Sequence, residues 1–104
     1  MITVTAPKFE LGRLLITPGA QEALAETGES VWTYLARHAQ GDWGEVDAED
    51  AAANDEALRD GSRLLSAYTL TLKDGETQRL WLISEAEDDN GVRVATTCLL
   101  ATEY

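Results

Sequence analysis

The sequence predicts a single α+β domain in which three short N-terminal helices pack on a three- to four-stranded antiparallel sheet. Helix-capping residues and glycine stops recur as far as Gly61, and apolar residues alternate with a period of two after Ser62. Two glycine-containing turns divide this second half into three strands of a meander. The 104 residues can bury one hydrophobic core, so we expect one domain spanning 1–104.

The first two helices are predicted from their end signals. Thr17 can cap a helix over 18–27 that has a proline at its first position and Gly28 as its stop. Ser30 can cap a second helix that ends at Gly41. The connection between them is short, so we expect the two helices to form a compact hairpin.

The third helix is predicted between Asp47, which can cap its first turn, and Gly61, which can stop it. Asp50 lies in the first turn, where negative charge is favourable. Alanine and acidic residues dominate this helix, so we expect it to pack shallowly and to leave one face in water.

The strands are predicted from alternation and turns. The three strands of the meander cover 64–72, 80–83 and 92–100, and the turn pairs Asp74-Gly75 and Asn90-Gly91 separate them. An apolar run at 14–16, before the first helix, suits a short strand or an extended segment.

Charge is the strongest functional signal in the sequence. Nineteen acidic residues against eight basic ones give a net charge of −11, which repels nucleic acid and anionic membranes and attracts basic protein surfaces. We therefore predict a non-catalytic module that binds the basic surface of a nucleic-acid-binding protein, with no direct nucleic-acid or membrane partner. The predicted partner-binding residues are Asp42, Trp43, Glu45, Asp47, Glu49, Asp50, Asp55, Glu56 and Asp60. The alternative is that these acids only keep the surface soluble.

Other chemistries find less support in the residues. The acidic segment lacks the ligand order of a calcium loop, and we predict neither a metal site nor a cofactor. Trp43 can be either a core residue or a binding anchor, and burial is the commoner role of a large aromatic ring. Cys98 lies in an apolar strand and is expected to be a small buried side chain.

Two alternative functions remain open from the sequence. His38, the only histidine, is expected to be a core residue, but a small enzyme could use it with Asp42 or another carboxylate. The chain could instead be a homodimeric scaffold joined through an exposed sheet face or an edge strand, so we expect a monomer or a homodimer.

Five short motifs carry a resemblance to a known family. They are Ile16-Thr17-Pro18-Gly19-Ala20, Leu35-Ala36-Arg37-His38, Gly41-Asp42-Trp43-Gly44, Leu64-Leu65-Ser66-Ala67-Tyr68 and Glu103-Tyr104. With them the chain resembles small acidic bacterial proteins of plasmids and integrating mobile elements. The sequence departs from that pattern in the longer acidic turn over 87–91 and in Ala101, where the family has proline.

The resemblance implies a genetic context more than an activity. Mobile elements carry small acidic proteins that block host restriction or CRISPR complexes, so the resemblance implies a DNA-mimic inhibitor of such a complex. The sequence has no long apolar run, its first eight residues lack the order of a signal peptide, and one cysteine suits a reducing compartment. We therefore expect the protein in the cytoplasm.

Overall fold

Four strands and three α-helices make up the computed structural model, which describes residues 6–104. Their bounds in chain order are β1 (Arg13–Ile16), α1 (Pro18–Thr27), α2 (Val31–Ala39), α3 (Ala48–Asp60), β2 (Leu64–Thr71), β3 (Thr77–Ser84) and β4 (Ala95–Leu100), followed by a short 3₁₀ helix at Ala101–Glu103. The α+β class is confirmed. The helices are not strictly N-terminal, because β1 precedes α1 and the 3₁₀ helix follows β4.

The cap residues begin each helix where the sequence predicts it. Thr17 accepts a hydrogen bond from the backbone N–H of Ala20 through its side chain, and Ser30 accepts one from the N–H of Trp32, both at 3.2 Å. Asp47 Oδ1 accepts the N–H of Asp50 at 2.8 Å. These three bonds satisfy donors that have no partner inside the helix, which fixes the first turn.

The sheet is mixed, which corrects the prediction of a purely antiparallel sheet. Its strand order is β1-β4-β3-β2, and β2, β3 and β4 form the predicted antiparallel meander. The first strand pairs parallel to β4, with Leu14 beside Thr96 and Ile16 beside Cys98. The apolar run at 14–16 predicts a short strand or an extended segment but not its direction, because β1 meets β4 only after three helices and a hairpin have intervened.

The sheet has an inner face that the helices cover. Its buried residues are Leu64, Ser66, Tyr68 and Leu70 on β2, Leu80, Leu82 and Ser84 on β3, and Thr96, Cys98 and Leu100 on β4. Leu14 and Ile16 of β1 lie on the same face and stay partly exposed. Leu24 of α1 and Leu35 of α2 pack on the apolar members of this set. A smaller apolar cluster under α3 joins Trp43, Ala57 and Leu64, with Phe9 against it.

The opposite side of the sheet, here called the outer face, is formed by the alternate residues of the same strands. They are Arg13 and Leu15 on β1, Leu65, Ala67, Thr69 and Thr71 on β2, Thr77, Arg79, Trp81 and Ile83 on β3, and Ala95, Thr97 and Leu99 on β4. The helices pack on the inner face, and Tyr104 is the side chain beyond the sheet that packs on Trp81, at 5.2 Å between ring centroids.

The free edge of β2 is closed over part of its length. The N–H of Glu45 donates to the carbonyl of Ala67 at 2.7 Å, and the N–H of Ala67 donates to the carbonyl of Trp43 at 3.1 Å. The side-chain amide of Asn54 donates to the carbonyl of Leu65 at 2.7 Å and accepts the N–H of the same residue at 3.1 Å. The segment before α3 is thereby fixed beside the sheet, since unpaired edge groups find local partners.

Candidate protein-interaction surface

The predicted acidic residues lie in the segment before α3 and on α3 itself. All eight are exposed: Asp42, Glu45, Asp47, Glu49, Asp50, Asp55, Glu56 and Asp60. The structure therefore brings the predicted carboxylates together on one continuous part of the chain that is held against the β2 edge. This part of the chain is called the acidic surface below.

Six of these eight carboxylates also have a local structural partner. Asp42 accepts a hydrogen bond from Arg37 Nε at 2.6 Å, and this bond holds the pKa of the Asp42 carboxyl below its ordinary value. The other five are Asp47, which caps α3; Asp55, which binds the Trp43 indole; Asp60, which accepts from Ser62; Glu45, which accepts from Thr69; and Glu56, which pairs with Arg59. Only Glu49 and Asp50 lack such a side-chain contact among the described residues.

Three of the acids form a stripe along α3. Glu49, Glu56 and Asp60 are separated by seven and four residues, which places them on one side of an α-helix. At a rise of about 1.5 Å per residue, the spacings along the helix axis are about 10 Å and about 6 Å. The buried residues of α3, Asn54 and Ala57, lie on another side, so the stripe projects into solvent.

Trp43 belongs to the core rather than to this surface. Only 6% of the residue is exposed, and its ring stacks on Phe9 with 6.3 Å between centroids. The indole Nε1 donates to Asp55 Oδ1 at 3.1 Å. The structure supports the core interpretation of Trp43. An anchor role, which needs an accessible ring, does not fit this conformation.

His38 is the centre of a buried chain of hydrogen bonds. Its Nδ1 lies 2.5 Å from Ser66 Oγ, and its Nε2 lies 2.9 Å from Ser84 Oγ. Ser84 Oγ lies 2.6 Å from Thr96 Oγ1, and that hydroxyl donates to the carbonyl of Leu11 at 2.7 Å. Residues from α2, all three meander strands and the segment before β1 are thus joined by one chain of polar contacts.

The bond from Thr96 to the Leu11 carbonyl fixes the direction of the hydrogen bonds between Thr96 and His38 Nε2. The Thr96 hydroxyl donates its proton to the Leu11 carbonyl. Ser84 must therefore donate to Thr96, and His38 Nε2–H must donate to Ser84. The pKa of His38 lies well below 7, so at neutral pH the ring carries no proton on Nδ1, which then accepts from the Ser66 hydroxyl. Burial, with a smaller contribution from the charge of Arg93, lowers the pKa of His38 from 6.5 to about 4.

The geometry around His38 suits a structural role better than a catalytic one. His38, Ser66 and Ser84 are each 0% exposed, so a substrate has no path to this pair of hydroxyls in the observed conformation. Asp42, the carboxylate considered as a partner for His38, pairs with Arg37 instead. Cys98 is 2% exposed and burial raises its pKa to about 11, which keeps it a neutral thiol.

Two exposed features were missing from the predicted site. Trp32 is 63% exposed, although it lies in α2 close to buried Tyr34 and Leu35. Helical spacing could have revealed this, because Trp32 falls away from the stripe that Tyr34, Leu35 and His38 form. The second feature is the outer face of the sheet. Alternation in 64–72 predicts that face, but its lack of a covering layer follows from which side the helices take.

A cleft joins the acidic surface to the outer face. Its volume is about 300 Å³, and its lining includes Glu45, Asp47 and Asp50 on one side and Arg79 and Trp81 on the other. The cleft is open and shallow. Within 6–104, no group of three or more His, Cys, Asp or Glu residues is placed to hold a metal ion, and no helix is long and apolar enough to cross a membrane.

The comparisons with known proteins give no relative from which a function could be transferred. No protein-family model, no curated protein and no solved structure matches the chain. The resemblance to proteins of mobile elements therefore stays a prediction from its motifs, and the function has to be argued from the surface itself.

Proposed function

We propose that this protein is a non-catalytic binding module whose acidic surface docks on the basic, nucleic-acid-binding surface of another protein. The observation that carries the proposal is the exposure of all eight carboxylates between residues 42 and 60, on a segment and a helix that are hydrogen-bonded to β2. A helix fixed against a sheet presents these charges at constant spacings, so a partner meets them without having to order them first.

Charge supports binding more than it supports catalysis here. The stripe of Glu49, Glu56 and Asp60 offers negative charge along about 16 Å of helix, and a groove that binds a phosphate backbone is complementary to such a row. Most of the attraction acts at long range and accelerates association, so it should weaken steeply with salt.

The motif resemblance gives this surface a biological setting. A small acidic protein of a plasmid or an integrating element would gain from blocking a restriction or CRISPR complex of its host in the cytoplasm. In that setting the acidic surface would occupy the nucleic-acid groove of the complex, as a DNA-mimic inhibitor does. The resemblance supports this identity of the partner, whereas the exposed carboxylates support only its basic character.

A pair of matched variants tests the proposal. Glu49→Lys with Glu56→Lys reverses two charges of the α3 stripe, and Glu22→Lys with Glu26→Lys reverses two exposed charges of α1. Two reversals change the net charge by +4, so both variants go from −11 to −7. Wild type and both variants are used as bait in a nuclease-treated bacterial lysate at low and high salt, and each captured protein is then tested for DNA binding.

We expect the wild type and the α1 variant to capture a DNA-binding protein at low salt and to displace DNA from it. The α3 variant should lose at least about tenfold in affinity, since close charge pairs across an interface contribute a few kcal/mol. If the α3 and α1 variants bind the captured protein with equal affinity, the acidic surface serves solubility and is not the binding site. Capture of a protein whose DNA binding is unaffected would remove the mimic part of the proposal.

A further inference from the structure

The outer face of the sheet presents some apolar and aromatic side chains that the helices leave uncovered, whereas Ala67, Ala95 and Leu99 on the same face are buried. Leu15 is 42% exposed, and Tyr104 is 69% exposed where its ring packs on half-buried Trp81. Leu65 and Ile83 extend this apolar surface as half-buried residues. An apolar patch of this kind on a folded surface is typical of a contact site with another macromolecule.

The charge distribution indicates which macromolecule fits there. None of the outward-facing positions of the four strands is acidic, and two of them, Arg13 and Arg79, are basic. The rest of the chain carries a large negative excess. A nucleic acid or anionic membrane is repelled by that excess and has no positive charge of its own to offset it. A second copy carries the same excess, but it also carries the two arginines of this face. Two copies of the chain can meet at this face without bringing carboxylates of the strands together.

The two edges of the face are complementary in charge. The β1 edge carries Arg13, whereas the cleft at the β2 edge is lined by three acids and one base. They are Glu45, Asp47, Asp50 and Arg79, so this edge keeps an acidic excess. When two sheets pack face to face about a two-fold axis that runs along the strands, the β1 edge of one copy lies over the β2 edge of the other. The same operation therefore buries the apolar centre and pairs the basic edge with the acidic edge twice.

We propose that two copies of this chain form a symmetric dimer through their outer faces, with Trp81 near its centre and the β1 edge of each copy over the β2 edge of its partner. The four strands β1, β4, β3 and β2 have four, six, eight and eight residues. At about 3.3 Å per residue and about 4.8 Å between strands, they give a face of about 400 Å². This is smaller than the roughly 800 Å² per partner of a stable interface, so the dimer should be concentration-dependent.

Sedimentation velocity over a wide range of protein concentration tests this dimer without any foreign partner, so its outcome is separate from that of the proposed function. We expect the wild-type mass to double as concentration rises. Trp81→Ser and Leu15→Asp should each weaken association at least tenfold. Leu15 is exposed on an edge strand, so Leu15→Asp should leave the fold intact. Trp32→Ser, an exposed tryptophan on α2, is the matched control and should dimerise as the wild type does.

Charge reversal tests the symmetry of the dimer. Arg13→Glu alone and Asp50→Arg alone should each weaken the dimer several-fold, and the combined variant should restore it, because the exchanged charges meet across the two-fold axis. A monomer at every concentration would overturn the proposal. So would growth beyond a dimer, which indicates a head-to-tail contact, or a dimer that survives Trp81→Ser and Leu15→Asp, which indicates a different interface.

Discussion

At the scale of single residues, His38 shows how a buried polar group can be satisfied by an ordered chain of donors. The bonds from His38 Nε2 through Ser84 and Thr96 to the carbonyl of Leu11 all run in one direction, and Nδ1 of the neutral ring accepts from Ser66. Adding a proton to Nδ1 would convert an acceptor into a second donor facing Ser66. Protonation of His38 would also place a charge in a fully buried site, and this burial is the main reason for the low pKa of the ring.

Acid sensitivity should consequently depend on His38. Its pKa of about 4 in the fold lies below the 6.5 of an exposed histidine, so the unfolded state takes up the proton first as pH falls. The contribution of neutral His38 to the free energy of unfolding is therefore fully present above pH 6.5. As the pH falls towards 4, the free energy of unfolding decreases by about 3 kcal/mol. Urea unfolding of wild type and His38→Gln at pH 7.5 and pH 4.5 measures this loss. The wild type should lose more stability than the variant, and parallel losses would contradict this account.

At the scale of elements, the contact between the segment before α3 and β2 depends on a glycine. Gly44 has a φ of +71°, and a Cβ at this position would lie 2.1 Å from the carbonyl oxygen of Ala67. The carbonyl is part of the backbone that pairs with Glu45, so it cannot move aside without breaking that pairing. This close approach holds the acidic surface against the sheet.

Two alanine substitutions separate close approach from backbone conformation. Gly28 has a similar φ of +74°, but a Cβ there would meet no atom within 4 Å. Gly28→Ala should cost about 1 kcal/mol of unfolding free energy from the left-handed conformation alone. Gly44→Ala should cost about 3 kcal/mol or more, because it also displaces the segment from the β2 edge. The free energy of unfolding of both variants is measured by chemical unfolding. If both substitutions lower it by the same amount, the close approach of Gly44 to Ala67 does not exclude a side chain.

At the scale of the whole molecule, net charge opposes folding as well as non-specific contacts. A chain with a charge of −11 repels itself more strongly when compact than when unfolded. Raising the salt concentration from about 0.01 M to about 0.15 M shortens the screening length from about 30 Å to about 8 Å. The unfolding free energy of the wild type should therefore rise with salt. The rise should be smaller for the Glu22→Lys, Glu26→Lys variant, whose charge is −7, and an equal rise would point to an effect other than self-repulsion.

Much of the fold could be predicted because its signals are local. Thr17, Ser30 and Asp47 begin helices through bonds that span two or three residues, so neighbouring sequence is enough to place them. The parallel pairing of β1 could not be predicted from its apolar run, because Leu14 and Thr96 meet only through the tertiary fold. The acidic part of the candidate site could be predicted because eight carboxylates on a short, polar segment have little chance of burial.

By itself the sequence determined the helix starts, the meander and a folded surface rich in carboxylates, because caps, turns and charge act over a few residues. The tertiary structure alone decided that Trp43 is buried and Trp32 exposed, that His38 contacts hydroxyls instead of Asp42, and which face of the sheet the helices cover. Each of these depends on which distant residue lies opposite, and packing in three dimensions sets that choice.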